Sequence, residues 1–212
     1  MSIIDVDGPI TTNSRSDVNI IMTVNPNTRK ILLTTTPRDY YVPIPGVSGE
    51  QKDKLTHAGI YGVDVSMKTL ESIYGIDISY YARVNFTSLI NIVDALGGVD
   101  VNSEYAFTTT HGSYEIKKGM NHMDGATALG FSRERYSFEA GDNQRGKNQE
   151  AVLTAILNKA MSPAILTNAN QIIASVGDSV ETNMTQEEMA KFINLQLSDS
   201  SAWSIESAAV TG

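Results

Sequence analysis

The sequence predicts an α/β fold in three layers, α/β/α, with a central mixed β-sheet that is flanked by helices on both faces. Strand-like and helix-like segments alternate along most of the chain, which is typical of sheets covered on both sides. The 212 residues, 41% of them hydrophobic, are enough for one substantial core. No repeat, low-complexity tract or linker interrupts the pattern, so we expect one domain over residues 1–212.

The N-terminal half begins with a predicted hairpin at the centre of the sheet. The apolar run VNIIMTV (18–24) is followed by NPNT and then by KILLTTTP, so Pro, Asn and Thr mark a turn between two strands. After the loop VPIPG, residues 53–62 and 65–75 have helical spacing. Met67, Leu70 and Ile73 fall on one stripe of the second segment, as in a helix with one buried face.

The C-terminal half continues the alternation. Residues 86–98 are predicted to form a helix that ends at the Gly97-Gly98 pair. Residues 144–162 are predicted to form a longer amphipathic helix that stops before Pro163. The remaining predicted elements are strands at 78–84, 99–101 and 203–210 and helices at 123–129, 165–176 and 185–197.

Composition excludes several classes of protein. A formal net charge of -8 argues against broad electrostatic binding to nucleic acid, and the absence of cysteine rules out disulfides and Cys-type zinc sites. Neither a Walker-type phosphate loop, a dinucleotide-binding GxGxxG nor a GxSxG nucleophile elbow is present. No run approaches the ~18 apolar residues of a membrane span, and the abrupt start suggests an excised domain.

A charged run, FSRERYSFEAGDNQRGKNQ, occupies residues 131–149. If residues 131–136 are extended, Arg133 and Arg135 point to the same side. If a helix begins near Asp142, Arg145 and Gln149 lie four residues apart on one of its faces, close to free backbone N–H groups. Guanidinium groups beside a helix N-terminus are suited to a phosphate-like group, because each fork matches two phosphate oxygens.

Hairpin geometry brings a second polar group together. Arg15 and Asp17 precede the first strand and Arg38 follows the second, so all three should meet at one end of the hairpin. Asp5 joins them if the N-terminal segment pairs alongside. Two interpretations stay open on spacing alone, a network of salt bridges or an anion site in which carboxylates hold Mg²⁺ beside the arginines.

Four segments together resemble the catalytic domain of the LytR-CpsA-Psr family, most closely its streptococcal capsule-type members. They are SRSDVNIIMTVNPNTRKILLTTTPRDYYVPIPG, DKLTHAGIYG, YYARVNFTSLINIVDALGGVDV and FSRERYSFEAGDNQRGKNQEAVLTAI. The resemblance implies a phosphotransferase on the extracellular face of a Gram-positive cytoplasmic membrane. Such enzymes move a glycopolymer, capsular or teichoic-acid-like, from a polyprenyl-pyrophosphate carrier to peptidoglycan. It further implies Mg²⁺, a polyprenyl chain in an apolar pocket, and an N-terminal membrane anchor and accessory domain that this chain lacks.

Site residues are carried over from the resemblance by position. The pyrophosphate-binding arginines match Arg38, Arg133, Arg135 and Arg145, with Gln149 beside them. The metal-associated aspartates match Asp5 and Asp17. Further substrate-binding positions match Arg15, Lys54 and Arg83. Asp142 is our candidate base for the acceptor hydroxyl, although it would equally serve to orient Arg145 or to cap the helix.

Two further alternatives depend on the same residues. The apolar segments VNIIMTV, FTSLINIVDAL and AVLTAIL are candidates for the lipid pocket, but apolar stripes of this kind also form ordinary core. The function itself has rivals: a carrier module that binds polyprenyl-linked saccharides without turnover, and a pyrophosphatase that uses water as the acceptor.

Overall fold

The computed structural model describes residues 2–4, 10, 12–139, 141–199 and 201–210, and for residues 2–4, 142 and 209 the backbone only. The strands are β1 (Ser2–Ile4), β2 (Ser16–Asn25), β3 (Lys30–Thr36), β4 (Tyr41–Pro43), β5 (Lys52–Lys54), β6 (Ala82–Asn85), β7 (Val99–Ser103), β8 (Phe107–Thr108), β9 (Glu115–Ile116), β10 (Gly119–Met123), β11 (Glu181–Thr182) and β12 (Ser204–Ala209). The helices are α1 (Val63–Tyr74), α2 (Phe86–Ala95), α3 (Gly125–Arg133), α4 (Gly141–Ala160), α5 (Pro163–Leu166), α6 (Ala169–Val176) and α7 (Gln186–Ser198), with 3₁₀ helices at Leu55–Tyr61 and Gly177–Ser179.

The central sheet is mixed and has the strand order β11-β6-β1-β2-β3-β12. β1 runs parallel to β6, and β3 runs parallel to β12, whereas β2 is antiparallel to both of its neighbours. The predicted hairpin is therefore confirmed as β2 and β3 at the middle of the sheet. β4–β5, β7–β10 and β8–β9 form three separate two-stranded sheets.

Helices cover both faces of this sheet, so the predicted three-layer architecture is confirmed. On one face, Val18 and Leu33 pack with Leu153 of α4. On the other, Ile21 packs against a cluster that contains Leu70 of α1. Successive side chains of β2 thus pack into cores on opposite faces of the sheet, because side chains alternate between the two faces along a strand.

Local capping fixes the helices that carry the site. Asn85 accepts a hydrogen bond from the N–H of Ser88 at the start of α2 (2.7 Å), and Asp124 accepts one from Thr127 at the start of α3 (2.8 Å). Gly97 and Gly98 both have positive φ after α2, as the glycine pair predicts. These caps set where α2 and α3 begin and where the chain leaves α2.

Several predicted elements differ from the structure. The segment 53–62, which has helical spacing, begins within β5 and continues as a 3₁₀ helix. The strand predicted at 78–84 is shorter, because β6 begins only at Ala82. The helix predicted at 165–176 is divided into α5 and α6. The extended conformation that would put Arg133 and Arg135 on the same side is not adopted at residues 131–133, because α3 continues to Arg133 and its buried Phe131 packs in the core between α2, α3 and α4.

Candidate active site

One half of the candidate site lies at the end of the β2–β3 hairpin. Asn19 pairs with Thr36 in the antiparallel register, so residues two further out along each strand face one another. Those residues are Asp17 and Arg38, and the guanidinium of Arg38 donates to the carboxylate of Asp17. The predicted juxtaposition of these two side chains is therefore present, and it follows directly from the strand register.

Further charged groups join this end of the hairpin. Lys54 Nζ lies 2.8 Å from Asp39 Oδ1, and Arg38 Nε lies 3.7 Å from Asp39 Oδ2. The hydrogen bond from Lys54 lowers the pKa of Asp39 against the opposing effect of burial, and the charges of Lys54, Arg38 and Arg145 lower it further. The structure thus brings four predicted residues, Asp17, Arg38, Lys54 and Arg145, to one place.

Several buried polar atoms at this end have no hydrogen-bond partner within the described part of the chain. They are Ser16 Oγ, Asn19 Nδ2, Arg38 Nε and Thr56 Oγ1. Buried polar groups are almost always paired, so an unsatisfied set beside charged residues is the kind of feature that a bound polar ligand or water completes. The backbone of Gly59 approaches the backbone of Ser14 closely at this end, since a Cβ on Gly59 would lie 2.4 Å from the carbonyl oxygen of Ser14.

The other half of the site is the segment that connects α3 to α4. Arg133 is the last residue of α3, and its guanidinium carbon lies 4.3 Å from the ring centroid of Phe86. Arg135 donates to the hydroxyl of Tyr136 at 2.6 Å and also lies over that ring. A helix end followed by a turn, rather than a strand, therefore places these two arginines.

Glu134 lies between the two arginines and was not predicted as a site residue. Its side chain is almost completely buried, with 1% of its surface exposed. It accepts hydrogen bonds from the N–H groups of Arg135, Tyr136 and Ser137 and from both the N–H and the hydroxyl of Thr110. Burial raises the pKa of Glu134, but the hydrogen bonds from Thr110 and Ser137 outweigh it and lower the pKa overall.

α4 links the two halves. It begins at Gly141, close to the predicted start, and carries Arg145 and Gln149 four residues apart. On its buried side, Gln144 donates to Asn148 (3.1 Å), and Asn148 donates to the carbonyl of Phe131 (3.2 Å). This amide pair joins α4 to the end of α3, and nothing in the sequence pattern distinguished it from exposed polar positions.

An apolar cleft lies beside these polar groups. Its walls come from β2, α2 and α4, the same three segments that the sequence offered as lipid-pocket candidates. The apolar lining consists of Val18, Ile20, Leu89, Val152, Leu153 and Ile156. Ser132, next to Arg133, and Gln149 are its polar members. The walls lie close together, and the space of about 10 Å³ between them holds roughly one water molecule.

Other predicted residues lie elsewhere or outside the described chain. Arg83 is buried and forms an ion pair with Glu181, with a further hydrogen bond to Asn13 (3.4 Å), so its contacts are not with the arginine cluster. Arg15 is exposed immediately before β2. Asp5 lies outside the described residues. The backbone of Asp142 is in the first turn of α4, whereas its side chain is outside what the structure describes.

Oxygen donors of the kind that bind Mg²⁺ occur among the described residues at the hairpin end. They contain no group of three or more His, Cys, Asp or Glu side chains arranged to hold a metal. Asp17 and the unpartnered hydroxyl of Ser16 are nevertheless oxygen donors of the kind that Mg²⁺ prefers. Since Mg²⁺ is often held by one or two carboxylates and by substrate phosphates, this donor set fits a cation that binds together with a phosphate ligand.

Comparison with known proteins places the chain in a family. The model of the LytR_cpsA_psr family matches residues 3–212. The chain belongs to the LytR_cpsA_psr family. It is similar to a polyisoprenyl-teichoic acid–peptidoglycan teichoic acid transferase TagU of Oceanobacillus iheyensis, 37% identical over 182 residues, which cover 82% of this chain and 55% of the relative. A TagU of Enterococcus faecalis is 36% identical, covering 84% and 57%. The chain spans just over half the length of these curated relatives.

Solved structures resemble the whole of this LytR_cpsA_psr chain. Bacillus subtilis TagV matches with a TM-score of 0.86 at 25% identity, covering 100% of this chain and 82% of TagV. TagT bound to LI-WTA matches with a TM-score of 0.80 at 30% identity, covering 100% of this chain and 77% of TagT. The mixed α/β fold and the family resemblance are both confirmed. Among the described residues, none of the helices has the length and apolar character needed to cross a membrane.

Proposed function

We propose that this LytR_cpsA_psr domain is a Mg²⁺-dependent phosphotransferase that moves a glycopolymer from a polyprenyl-pyrophosphate carrier to peptidoglycan. The observation that carries the proposal is that charged side chains and an apolar cleft lie next to each other. Arg145 on α4 lies near the charged cluster of Arg38, Asp39 and Lys54 at the hairpin end, and Ser132, next to Arg133, and Gln149 are the polar members of the apolar cleft. A lipid pyrophosphate has the matching combination of an anionic head and an apolar tail.

The relatives support this substrate class. The curated relatives are named as transferases that join teichoic acid to peptidoglycan, and TagT has been crystallised with LI-WTA. Teichoic acid is therefore the favoured cargo, although a capsular polymer would present the same pyrophosphate. The working location we propose is the outer face of the cytoplasmic membrane, where the lipid carrier and peptidoglycan meet.

In the proposed mechanism, Arg38, Arg133, Arg135 and Arg145 bind the diphosphate oxygens. A hydroxyl of peptidoglycan attacks the phosphorus next to the glycopolymer, the P–O–P bridge breaks, and polyprenyl phosphate leaves. The guanidinium groups stabilise the negative charge that develops on that leaving group. The proton of the hydroxyl passes to a base, for which Asp142 is the candidate.

Asp17, together with Asp5, would hold the cation in this scheme. Mg²⁺ supplies neutralisation of charge on the phosphate oxygens when it is bound. Asp17 also positions Arg38 through their ion pair, and Lys54 and Asp39 position the same guanidinium from its other side. The charged side chains at the hairpin end would thus both bind the substrate and orient one another.

The lipid tail would enter the cleft between β2, α2 and α4. The space there is narrow, so a polyprenyl chain has to part α2 from α4 as it enters. Val18, Ile20 and Ile156, which line this space, would then contact the chain. The energetic cost is modest in principle, since apolar contacts replace apolar contacts.

The test is to measure release of polyprenyl phosphate from a polyprenyl-pyrophosphoryl saccharide, with and without Mg²⁺ and a peptidoglycan acceptor. Release that requires Mg²⁺ and Arg135, with saccharide appearing on the acceptor, is the expected result. Release without transfer would make the domain a pyrophosphatase. Tight lipid binding without release would make it a carrier module.

A further inference from the structure

The segment between α3 and α4 contains a buried charge that the proposed mechanism does not use. Glu134 is the only residue between Arg133 and Arg135, and its side chain is 1% exposed. A carboxylate in the middle of a charged run is normally solvated. Here it points inward instead, so its position needs a physical explanation.

Five donors compensate the burial of this carboxylate. Oε1 accepts from the N–H groups of Arg135 (3.1 Å), Tyr136 (2.8 Å) and Ser137 (3.0 Å) and from the hydroxyl of Thr110 (3.1 Å). Oε2 accepts from the N–H of Thr110. Three successive N–H groups turned toward one oxygen form a backbone anion nest, which favours the ionised carboxylate even in a buried place.

These contacts distinguish Glu134 from a salt-bridge partner. Its hydrogen-bond partners in the described part of the chain are backbone N–H groups and one hydroxyl, not a guanidinium. The carboxylate therefore does not occupy the forks of Arg133 and Arg135. It instead holds the backbone from which Arg135 projects.

The same contacts connect the arginines to a distant part of the chain. Thr110 is 24 residues before Glu134, in the segment between β8 and β9. Phe138 packs against Phe107 with ring centroids 4.8 Å apart, and this edge-to-face contact fixes the far end of the same segment. Residues 134–138 are thus anchored at both ends, with the arginine side chains projecting from the anchored backbone.

We propose that Glu134 is a positioning residue, which sets the backbone of residues 133–137 so that Arg133 and Arg135 meet the pyrophosphate group of the substrate. The inference rests on the proposed function for the identity of that group. It assigns Glu134 no direct contact with substrate and no proton transfer. Its effect is to fix two guanidinium groups before the substrate arrives, which lowers the reorganisation needed in the transition state.

The main test compares Glu134→Gln and Glu134→Asp with wild type in the polyprenyl phosphate release assay. Glutamine has the same shape but lacks the charge and turns an amide NH₂ toward N–H donors. We expect kcat/KM to fall by roughly 10²-fold, the size of effect that a displacement of about 1 Å produces. The loss should fall mainly on kcat, and aspartate, which keeps the charge, should restore part of it.

Asp124→Ala is the matched control. Asp124 caps the opposite end of α3, so its loss destabilises the same helix without touching residues 134–137. If Glu134→Gln and Asp124→Ala reduce kcat/KM equally at equal loss of thermal stability, Glu134 has only a structural role and the inference is overturned. Thr110→Val, which removes one donor hydroxyl, should give a several-fold loss in the same direction and covers the case in which Glu134→Gln does not fold.

A second readout separates the inference from the proposed function. Inorganic pyrophosphate serves as the probe in calorimetric binding, and amide hydrogen exchange of residues 134–138 reports backbone order. If wild type binds pyrophosphate but releases no polyprenyl phosphate, the proposed function fails. The positioning role still stands in that case if Glu134→Gln weakens pyrophosphate binding and accelerates exchange. Unchanged pyrophosphate affinity in a folded Glu134→Gln protein overturns it.

Discussion

The two halves of the candidate site hold their arginines in different ways. In the hairpin half, strand register places Arg38 opposite Asp17, and carboxylates of Asp17 and Asp39 face its guanidinium. In the α3–α4 half, Arg133 lies over an aromatic ring, and a buried glutamate holds the backbone from beneath. The carboxylate neutralises the arginine in the first case, whereas in the second it organises the chain.

This difference implies different sensitivities. Removing Arg38 from the hairpin half takes one ion-pair partner from the partly buried carboxylate of Asp17, so stability and activity should fall together. Removing one from the α3–α4 half takes a side chain off a ring and should affect mainly activity. The four predictions below test this contrast, beginning with the largest effect.

Arg133→Ala should reduce kcat/KM by about 10²–10³-fold, the effect of removing one donor that stabilises transition-state charge. Thermal stability should change only by roughly 0.5–2 kcal/mol, because the contact between Arg133 and Phe86, both half-buried, is a single cation–π interaction. Arg29→Ala is the matched control, since Arg29 also lies over an aromatic ring, that of Trp203, far from the site at the start of β3. A larger activity loss in Arg29→Ala than in Arg133→Ala would contradict the assignment.

Arg38→Ala should reduce activity to a similar degree and also lower the free energy of unfolding. We expect a loss of about 1–3 kcal/mol, below the value for a fully buried pair because Arg38 is partly exposed. The double variant Asp17→Asn/Arg38→Ala should regain stability without regaining activity. Chemical denaturation and the release assay measure the two quantities, and recovery of both would show that the pair serves structure alone.

Asp17→Asn should raise the Mg²⁺ concentration required for half-maximal activity by roughly 10-fold, the order found when groups at a metal site are changed. Calorimetric titration of Mg²⁺ in the presence of inorganic pyrophosphate gives a readout that is independent of turnover. Asp39→Asn is the control, because Asp39 lies in the same cluster but pairs with Lys54. An unchanged Mg²⁺ response in Asp17→Asn would remove Asp17 from the metal site.

The smallest expected effect concerns pH and salt. Asp39 and Glu134 both have a lowered pKa in the folded protein, so each stabilises the fold above the ordinary carboxyl pKa. That contribution is lost as the pH falls through the folded-state pKa. Raising the ionic strength from about 0.1 M to 1 M should move the pKa of Asp39 upward but not that of buried Glu134, because salt screens exposed charges. Carboxyl NMR titration at both ionic strengths measures the two pKa values. A rise in the pKa of Glu134 as well as that of Asp39 would contradict the contrast between the two halves of the site.

The sequence predicted the hairpin half of the candidate site and only part of the α3–α4 half. The short turn between β2 and β3 determines their register, and the register determines that Asp17 meets Arg38. The extended geometry considered for Arg133 and Arg135 is not adopted at Arg133, because a helix capped by Asp124 runs through Phe131 to Arg133. The spacing of residues within 131–149 did not reveal that the helix that begins at the Asp124 cap extends to Arg133.

The residues that sequence reasoning missed depend on distant parts of the chain. Glu134 is buried because Thr110 and the β8–β9 region cover it, and no pattern within residues 131–149 contains that information. Gln144 and Asn148 likewise look like surface residues until α3 is placed against them. Charged and amide side chains in a polar run give no periodic signal of burial.

The hydrogen bond from Asn148 to the carbonyl of Phe131 couples α4 to the C-terminal end of α3. The same helix lines the apolar cleft through Val152 and Ile156, carries Arg145, and is fastened to the end of α3 that bears Arg133. A polyprenyl chain that entered between α2 and α4, as proposed, would displace α4, which carries Arg145 and is hydrogen-bonded to the end of α3 before Arg133. We therefore expect a short-chain pyrophosphate to be a poorer substrate than its head group alone would suggest, because it would not shift these arginines.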